Sequence, residues 1–240
     1  MFSRAFLLLL AAAAVHAQSI PGAVLAKREP HHHVAYEDAS LRVLRVRVPA
    51  HDTTLLHEHG PDYFWIALGP STVVNAKLGA PEATITSADL SFHYTFGNFA
   101  HVARNPGTVP FDNITVELLE RQTDVRNLCE QALADKPLDC ASPSAQAKPL
   151  FLGAKEHPAL TTAQMRVSLL TVAPGSTVRS TARSRGTWLI ALDSAEAGQD
   201  LVIVGNSKWT GGTFRAPAGK DWAFANRGRA PIRVIAVVKP

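Results

Sequence analysis

The run His57-Glu58-His59-Gly60-Pro61-Asp62-Tyr63-Phe64-Trp65-Ile66-Ala67-Leu68-Gly69 decides how this chain is read. Histidines two apart on a strand point to the same face, because strand side chains alternate. Glu58, between them, is then read as solvent-facing. Tyr63 to Leu68 is aromatic and apolar, the composition of a strand, and Gly69-Pro70 closes it as a turn. Within the aromatic triplet alternate residues face inward, which makes Tyr63 and Trp65 candidates for a pocket wall. A third histidine on a facing strand completes a three-nitrogen site. His101 stands in Gly97-Asn98-Phe99-Ala100-His101-Val102-Ala103-Arg104-Asn105, and Asn105 is a further pocket candidate. Imidazole suits zinc, copper, iron and nickel; an added carboxylate, here Asp62, widens the choice toward iron and manganese.

Working outward, strand signals dominate. The sequence predicts strands over Leu41–Val48, Tyr63–Leu68, Thr72–Leu78 and Ile114–Leu119. In the second half they fall at Met165–Val172, Trp188–Leu192, Leu201–Val204 and Ile232–Val238. Short strands between Gly/Pro turns predict an all-β sandwich or barrel. Only Asp124–Asp135 carries helical spacing, through Leu128, Ala132 and Leu133. The order of features also repeats. Ile66-Ala67-Leu68 returns as Ile190-Ala191-Leu192, and Asn105-Pro106-Gly107 as Asn226-Arg227-Gly228. Pro110 matches Pro231, and Val116 matches Val237. An ordered series of matches implies two homologous β-barrels joined by the polar stretch that ends in Ala141-Ser-Pro-Ser-Ala-Gln-Ala-Lys148.

These motifs resemble those of the cupin superfamily. His57-x-His59, then Asp62-x6-Gly69, follows the first cupin motif, and His101-x3-Asn105 with Gly97 ahead of it follows the end of the second. The resemblance covers about Leu41 to Val238 and is that of a bicupin of the quercetinase-like, conserved-barrel type. It implies two tandem jelly-roll barrels, with His57, His59 and His101 as metal ligands in the first. Asp62 stands where the family carries glutamate and follows His59 with only two residues between, so the histidines carry the expectation more than the carboxylate does. The second barrel is degenerate. Pro174-Gly175 and Pro217-x-Gly219 keep the motif openings, but Thr181-Ala182-Arg183 replaces the histidine pair and Trp222 replaces the late histidine. Tryptophan and arginine make no metal site, so this barrel is expected to be metal-free.

The ends and composition set the context. Met1–Ala17 has Arg4 ahead of an apolar run of 11 residues, with Val15 and Ala17 at the −3 and −1 positions of a cleavage site. That is a signal peptide, too short for the roughly 20 residues that span a bilayer. The expectation is an exported protein, periplasmic or secreted, with no stable membrane insertion after cleavage. In an oxidising compartment Cys129 and Cys140 are read as a disulfide, worth about 2–3 kcal/mol through loop closure. The expected organisation is 1–17 signal peptide, 18–40 N-terminal arm, 41–121 first barrel, 122–148 connector with the cysteine pair and 149–240 second barrel. His31-His32-His33 is assigned to the arm, and His51 and His93 to rims or loops. Of 240 residues 46% are hydrophobic and 18% charged, which excludes a disordered chain. The 24 basic and 20 acidic residues intermingle, and no Lys/Arg run exceeds two, so no nucleic-acid face is expected. The expected cofactor is one divalent transition metal (Fe, Mn, Ni, Cu or Zn), the partner a small organic molecule, and the protein a monomer or homodimer. The functional expectation is a metal-dependent, dioxygenase-like oxidoreductase; the alternative is a non-catalytic binding, structural or storage protein.

Overall fold

The computed structural model describes residues 20–127, 148–180, 186–193, 200–203 and 212–239. The N-terminal unit contains ten strands: β1 (Val24–Leu25), β2 (His32–Glu37), β3 (Leu41–Val48), β4 (His57–His59), β5 (Asp62–Ala67), β6 (Ser71–Lys77), β7 (Ala83–Ser87), β8 (Phe92–Thr95), β9 (Phe99–Arg104) and β10 (Phe111–Leu118). They form two five-stranded sheets, β1-β4-β9-β6-β7 and β2-β3-β10-β5-β8. The C-terminal unit contains β11 (Arg126–Asn127), β12 (Phe151–Leu152), β13 (Lys155–Thr161), β14 (Arg166–Val172), β15 (Thr177–Ser180), β16 (Gly186–Ala191), β17 (Leu201–Ile203), β18 (Thr213–Ala216), β19 (Ala223–Asn226) and β20 (Ile232–Lys239). Its sheets are β11-β13-β14-β20-β16-β18 and β12-β15-β19-β17. The two units repeat one topology, with β3, β10 and β5 answering to β14, β20 and β16. Among the described residues each unit is a pair of facing sheets rather than one closed ring of strands.

Three apolar cores explain why these strands read as nearly unbroken hydrophobic runs. One fills the N-terminal unit, with Leu44, Val46, Trp65 and Phe111. One fills the C-terminal unit, with Val172, Leu189, Phe214 and Phe224. The third lies between the units, where Phe64, Ile66, Ile114 and Val116 meet Leu160, Met165, Trp188 and Ile235. The central strands are therefore covered on both faces. On β5, Tyr63 and Trp65 face the inside of their own unit while Phe64 and Ile66 face the other unit. Polar ties cross the same junction: Trp188 Nε1 donates to Asp38 Oδ2 at 2.8 Å, and Arg45 Nη2 to the Ala191 carbonyl at 3.0 Å.

The repeat is also visible in a single side chain. The Asn105 amide donates to the carbonyls of Val48, Pro49 and Val109, and its Oδ1 accepts from Gly107 N. Asn226 does the same with the Val172 and Ala230 carbonyls and Gly228 N. Each asparagine pins the loop before the last long strand to the end of the first.

Three sequence expectations are corrected here. Residues 124–127 are not helical: Asp124 has φ 51° and Arg126–Asn127 pairs with β13, so tertiary pairing outweighs the local spacing. Residues 128–135 lie outside the described residues, as do Met1–Ala17, Cys129, Cys140 and Arg183. The segment read as an arm is built into the N-terminal unit, β1 pairing parallel with β4 and β2 antiparallel with β3. Glu58 does point away from the histidines, but it is buried rather than solvated: the docked N-terminal segment covers it, and Ile20 N donates to its Oε2 at 2.6 Å.

Candidate metal centre

β4 and β9 pair with His57 opposite His101, and the alternation of β4 puts His59 on the same side as His57. The rings converge. Their centroids lie 5.2 Å apart for His57 and His59, 4.3 Å for His57 and His101, and 5.4 Å for His59 and His101. A fourth imidazole comes from β2, where His32 lies 4.6 Å from His57 and 6.2 Å from His59. Its exposure is 7%, against 0–8% for the other three. One nitrogen from each of His32, His57 and His59 falls within 4.8 Å of the other two.

The outer nitrogens share a pattern. Nδ1 of His57 meets the Leu55 carbonyl at 2.9 Å, and Nδ1 of His59 meets Glu117 Oε1 at 3.0 Å. Nδ1 of His101 meets Asn75 Oδ1 at 2.7 Å, and Nδ1 of His32 meets Glu29 Oε2 at 2.6 Å. An acceptor at Nδ1 fixes the proton there and leaves the Nε2 lone pair for the cavity, the arrangement that supports metal-binding imidazoles. His57 Nε2 and His101 Nε2 are both buried without a hydrogen-bond partner. Two such atoms are costly unless something else satisfies them, and a metal ion fits that role.

Burial favours the neutral form of His57, His101 and His32. Burial first, then the neighbouring His32 and His59, pushes the His57 imidazolium down to about 3. Burial likewise takes His101 well below the ordinary range, and it lowers His32. The carboxylates behind the rings stay charged. Burial works against ionisation of Glu29, but bonds from His32, His31 and the Leu55 N–H outweigh it and bring its carboxyl to about 2. Burial also opposes ionisation of Glu117, and His59 and Arg42 together hold it below the usual carboxylate range.

The cavity in front of the rings measures about 60 Å³. At about 10–15 Å³ per water that is room for a few waters or a small organic group. Tyr63 and Trp65 line it, with Tyr63 stacked on His59 at 4.2 Å. His93 also lines it, buried and parallel to Trp65 at 3.8 Å and 3°, and burial brings its imidazolium down to about 4. Its position differs from the expected rim; His51 is exposed in a turn with φ 61°. No Lys, Arg, Asp or Glu lines this cavity among the described residues.

Two candidates sit elsewhere. Asp62 does not line the cavity; its carboxylate accepts from Tyr94 Oη at 2.7 Å and from Gly97 N at 2.9 Å. It thereby holds the turn that starts β9. A Cβ on Gly97 would stand 2.2 Å from the Gly60 carbonyl oxygen, so only glycine permits this approach. Asn105 is likewise absent from the cavity wall and acts as the loop pin described above. The sequence reading missed His32, Glu29, Asn75 and Glu117. Glu117 carried a signal, as a lone charge in the apolar run Ile114–Leu118. His32 did too, as the inward member of three consecutive histidines once they lie on a strand. In the second unit Trp222 packs against Phe151, Phe214 and Phe224, so that interior is apolar where the first is polar.

No family profile matches the chain, and no curated protein matches it. Solved structures do. AerE from Microcystis aeruginosa is similar with a TM-score of 0.55 at 10% identity, over 88% of this chain and 98% of that one. A variant of oxalate decarboxylase from Bacillus subtilis gives 0.54 at 11%, over 87% and 72%. A variant of salicylate 1,2-dioxygenase from Pseudoaminobacter salicylatoxidans gives 0.54 at 12%, over 85% and 71%.

Proposed function

We propose that this chain, which has the bicupin fold, is an exported metal-dependent oxidoreductase acting on a small uncharged organic molecule. The observation that carries the reading is the pair of buried, unpartnered Nε2 atoms on His57 and His101, facing one cavity beside His59. His57, His59 and His101 hold one divalent transition metal; Asp62, committed to Tyr94 and Gly97, is left out of the ligand set. When bound, iron, manganese, nickel or copper would supply a Lewis-acidic, redox-active centre for reaction with dioxygen, and zinc a Lewis acid alone. The chain does the rest. The Leu55 carbonyl, Glu117 and Asn75 fix the orientation of the three rings. The parallel Trp65–His93 pair offers a flat face to an organic substrate. Val46, Val73 and Phe111 exclude water. Beyond the metal itself, the wall offers no lysine or arginine among the described residues to pair with a substrate carboxylate, which favours a neutral molecule over one that needs a cationic side chain. Cleavage after Ala17 leaves every residue of the docked segment from Ile20 onward in the mature chain, and Cys129 and Cys140 form a disulfide in the exported protein.

The test uses the mature chain without a polyhistidine tag, stripped by chelation and reloaded with Fe, Mn, Ni, Cu or Zn in turn. About one equivalent in the native chain and none in the His57→Ala/His101→Ala variant is expected, followed by oxygen uptake with a panel of small neutral organic compounds. Failure to retain any metal overturns the proposal. Metal retention with no oxygen uptake across the panel replaces it with the non-catalytic binding reading.

A further inference from the structure

We infer that His32 is a fourth ligand of the same metal, so that the centre consists of four neutral imidazoles and no carboxylate. The inference rests on the metal-centre reading above and deepens it. Strand alternation along β2 turns His32 inward while His33 is exposed. Inside, His32 lines the same cavity as His57, His59 and His101. Its donor atom lies within 4.8 Å of donors on His57 and His59. Two nitrogens on one ion stand at most about 4.2 Å apart, twice the usual metal–nitrogen distance of about 2.1 Å. Side-chain adjustment on the order of 1 Å therefore closes His32, His57 and His59 on one ion, and His101, whose ring lies 4.3 Å from that of His57, supplies the remaining nitrogen.

The support behind the ring is that of a ligand. Glu29 is 1% exposed and takes four donors: His31 N at 2.7 Å, His31 Nδ1 at 3.0 Å, His32 Nδ1 at 2.6 Å and Leu55 N at 3.2 Å. Leu55 in turn offers its carbonyl to His57 Nδ1 at 2.9 Å. One buried carboxylate thus positions His32 directly and is tied through Leu55 to His57. The place left by Asp62 is filled from β2. An all-imidazole set suits zinc, copper, nickel or iron better than manganese, which prefers carboxylate and water. It also makes the N-terminal segment part of the metal site.

The experiment compares the full mature chain with His32→Gln and His33→Gln. Glutamine at position 32 keeps a donor for Glu29 and removes the ring, and position 33 is the exposed control. Each protein is loaded with Cu(II), and pulsed electron paramagnetic resonance counts coordinated imidazoles from their remote nitrogens. Circular dichroism of the metal-free proteins checks that all are folded. The expected result is one imidazole fewer in His32→Gln, with metal affinity reduced ten- to a hundredfold, and no change in His33→Gln. Unchanged imidazole count and affinity in a folded His32→Gln protein would overturn the fourth ligand and leave the three-histidine reading standing. Absence of bound metal in the native chain would remove both.

Discussion

At the scale of single residues, this site depends on what stands behind each imidazole. Glu117 holds His59 Nδ1 with one oxygen and Arg42 with the other. Glu117→Ala should release the ring and leave the half-buried Arg42 guanidinium with Glu37 alone. The expected outcome is a ten- to a hundredfold loss of metal affinity, read by titration of the chelated protein, while His101 and His57 keep their own supports. Asn105 and Asn226 belong to a different class. Each ties three backbone groups or more with one amide, and each is buried at 1% exposure or less. Asn226→Ala strands buried carbonyls, and a cost of about 2–3 kcal/mol in urea unfolding is expected, with metal affinity unchanged. Both asparagines were visible in the sequence as a repeat. Their job was not, because a motif position says where a residue recurs and not which way its amide points. The same holds for Asp62: its spacing suggested a ligand, while the turn that it clamps lies 35 residues away in the chain.

At the scale of elements, the long apolar strands were legible because burial on both faces leaves a continuous hydrophobic signature. β3 falls at Leu41–Val48 as the sequence implied, and β20 extends the expected Ile232–Val238 by one residue. Short polar strands were not legible. β2 contains His32, His33 and Glu37, and its place is set by pairing with β3 rather than by composition. β1 is two residues long and is held through Val24 N to the Leu56 carbonyl at 3.0 Å and through its register with His57 and Glu58. A mature chain that begins at Glu29 lacks β1 and the Ile20 partner of Glu58. Hydrogen exchange should then accelerate at the β4 amides, 57–59, by at least tenfold, with the β14 and β20 amides unaffected. Equal protection in both chains would show that β1 adds nothing to the order of β4.

At the scale of the whole molecule, the third core makes the two units one thermodynamic body. Phe64, Ile66, Trp188 and Ile235 bury their side chains only because the opposite unit is present. Phe64→Ala should cost about 3–5 kcal/mol and lower a single calorimetric transition rather than split it in two. Either unit expressed alone should expose this apolar face and aggregate. The second unit has kept the strand order and the asparagine pin while its interior filled with Phe214, Phe224 and Trp222. The partition between the metal cavity and the neighbouring unit is thus one strand thick. Tyr63 and Trp65 look into the cavity, and Phe64, between them, looks into the junction. Residues such as Trp188 and Ile190 are therefore hidden dials on the pocket: repacking them moves the β5 backbone and retunes the fit of a bound molecule without altering any side chain that touches it. New specificities can arise in such a molecule from the half that, among the described residues, contributes nothing to the cavity wall, with every residue that lines the cavity left intact.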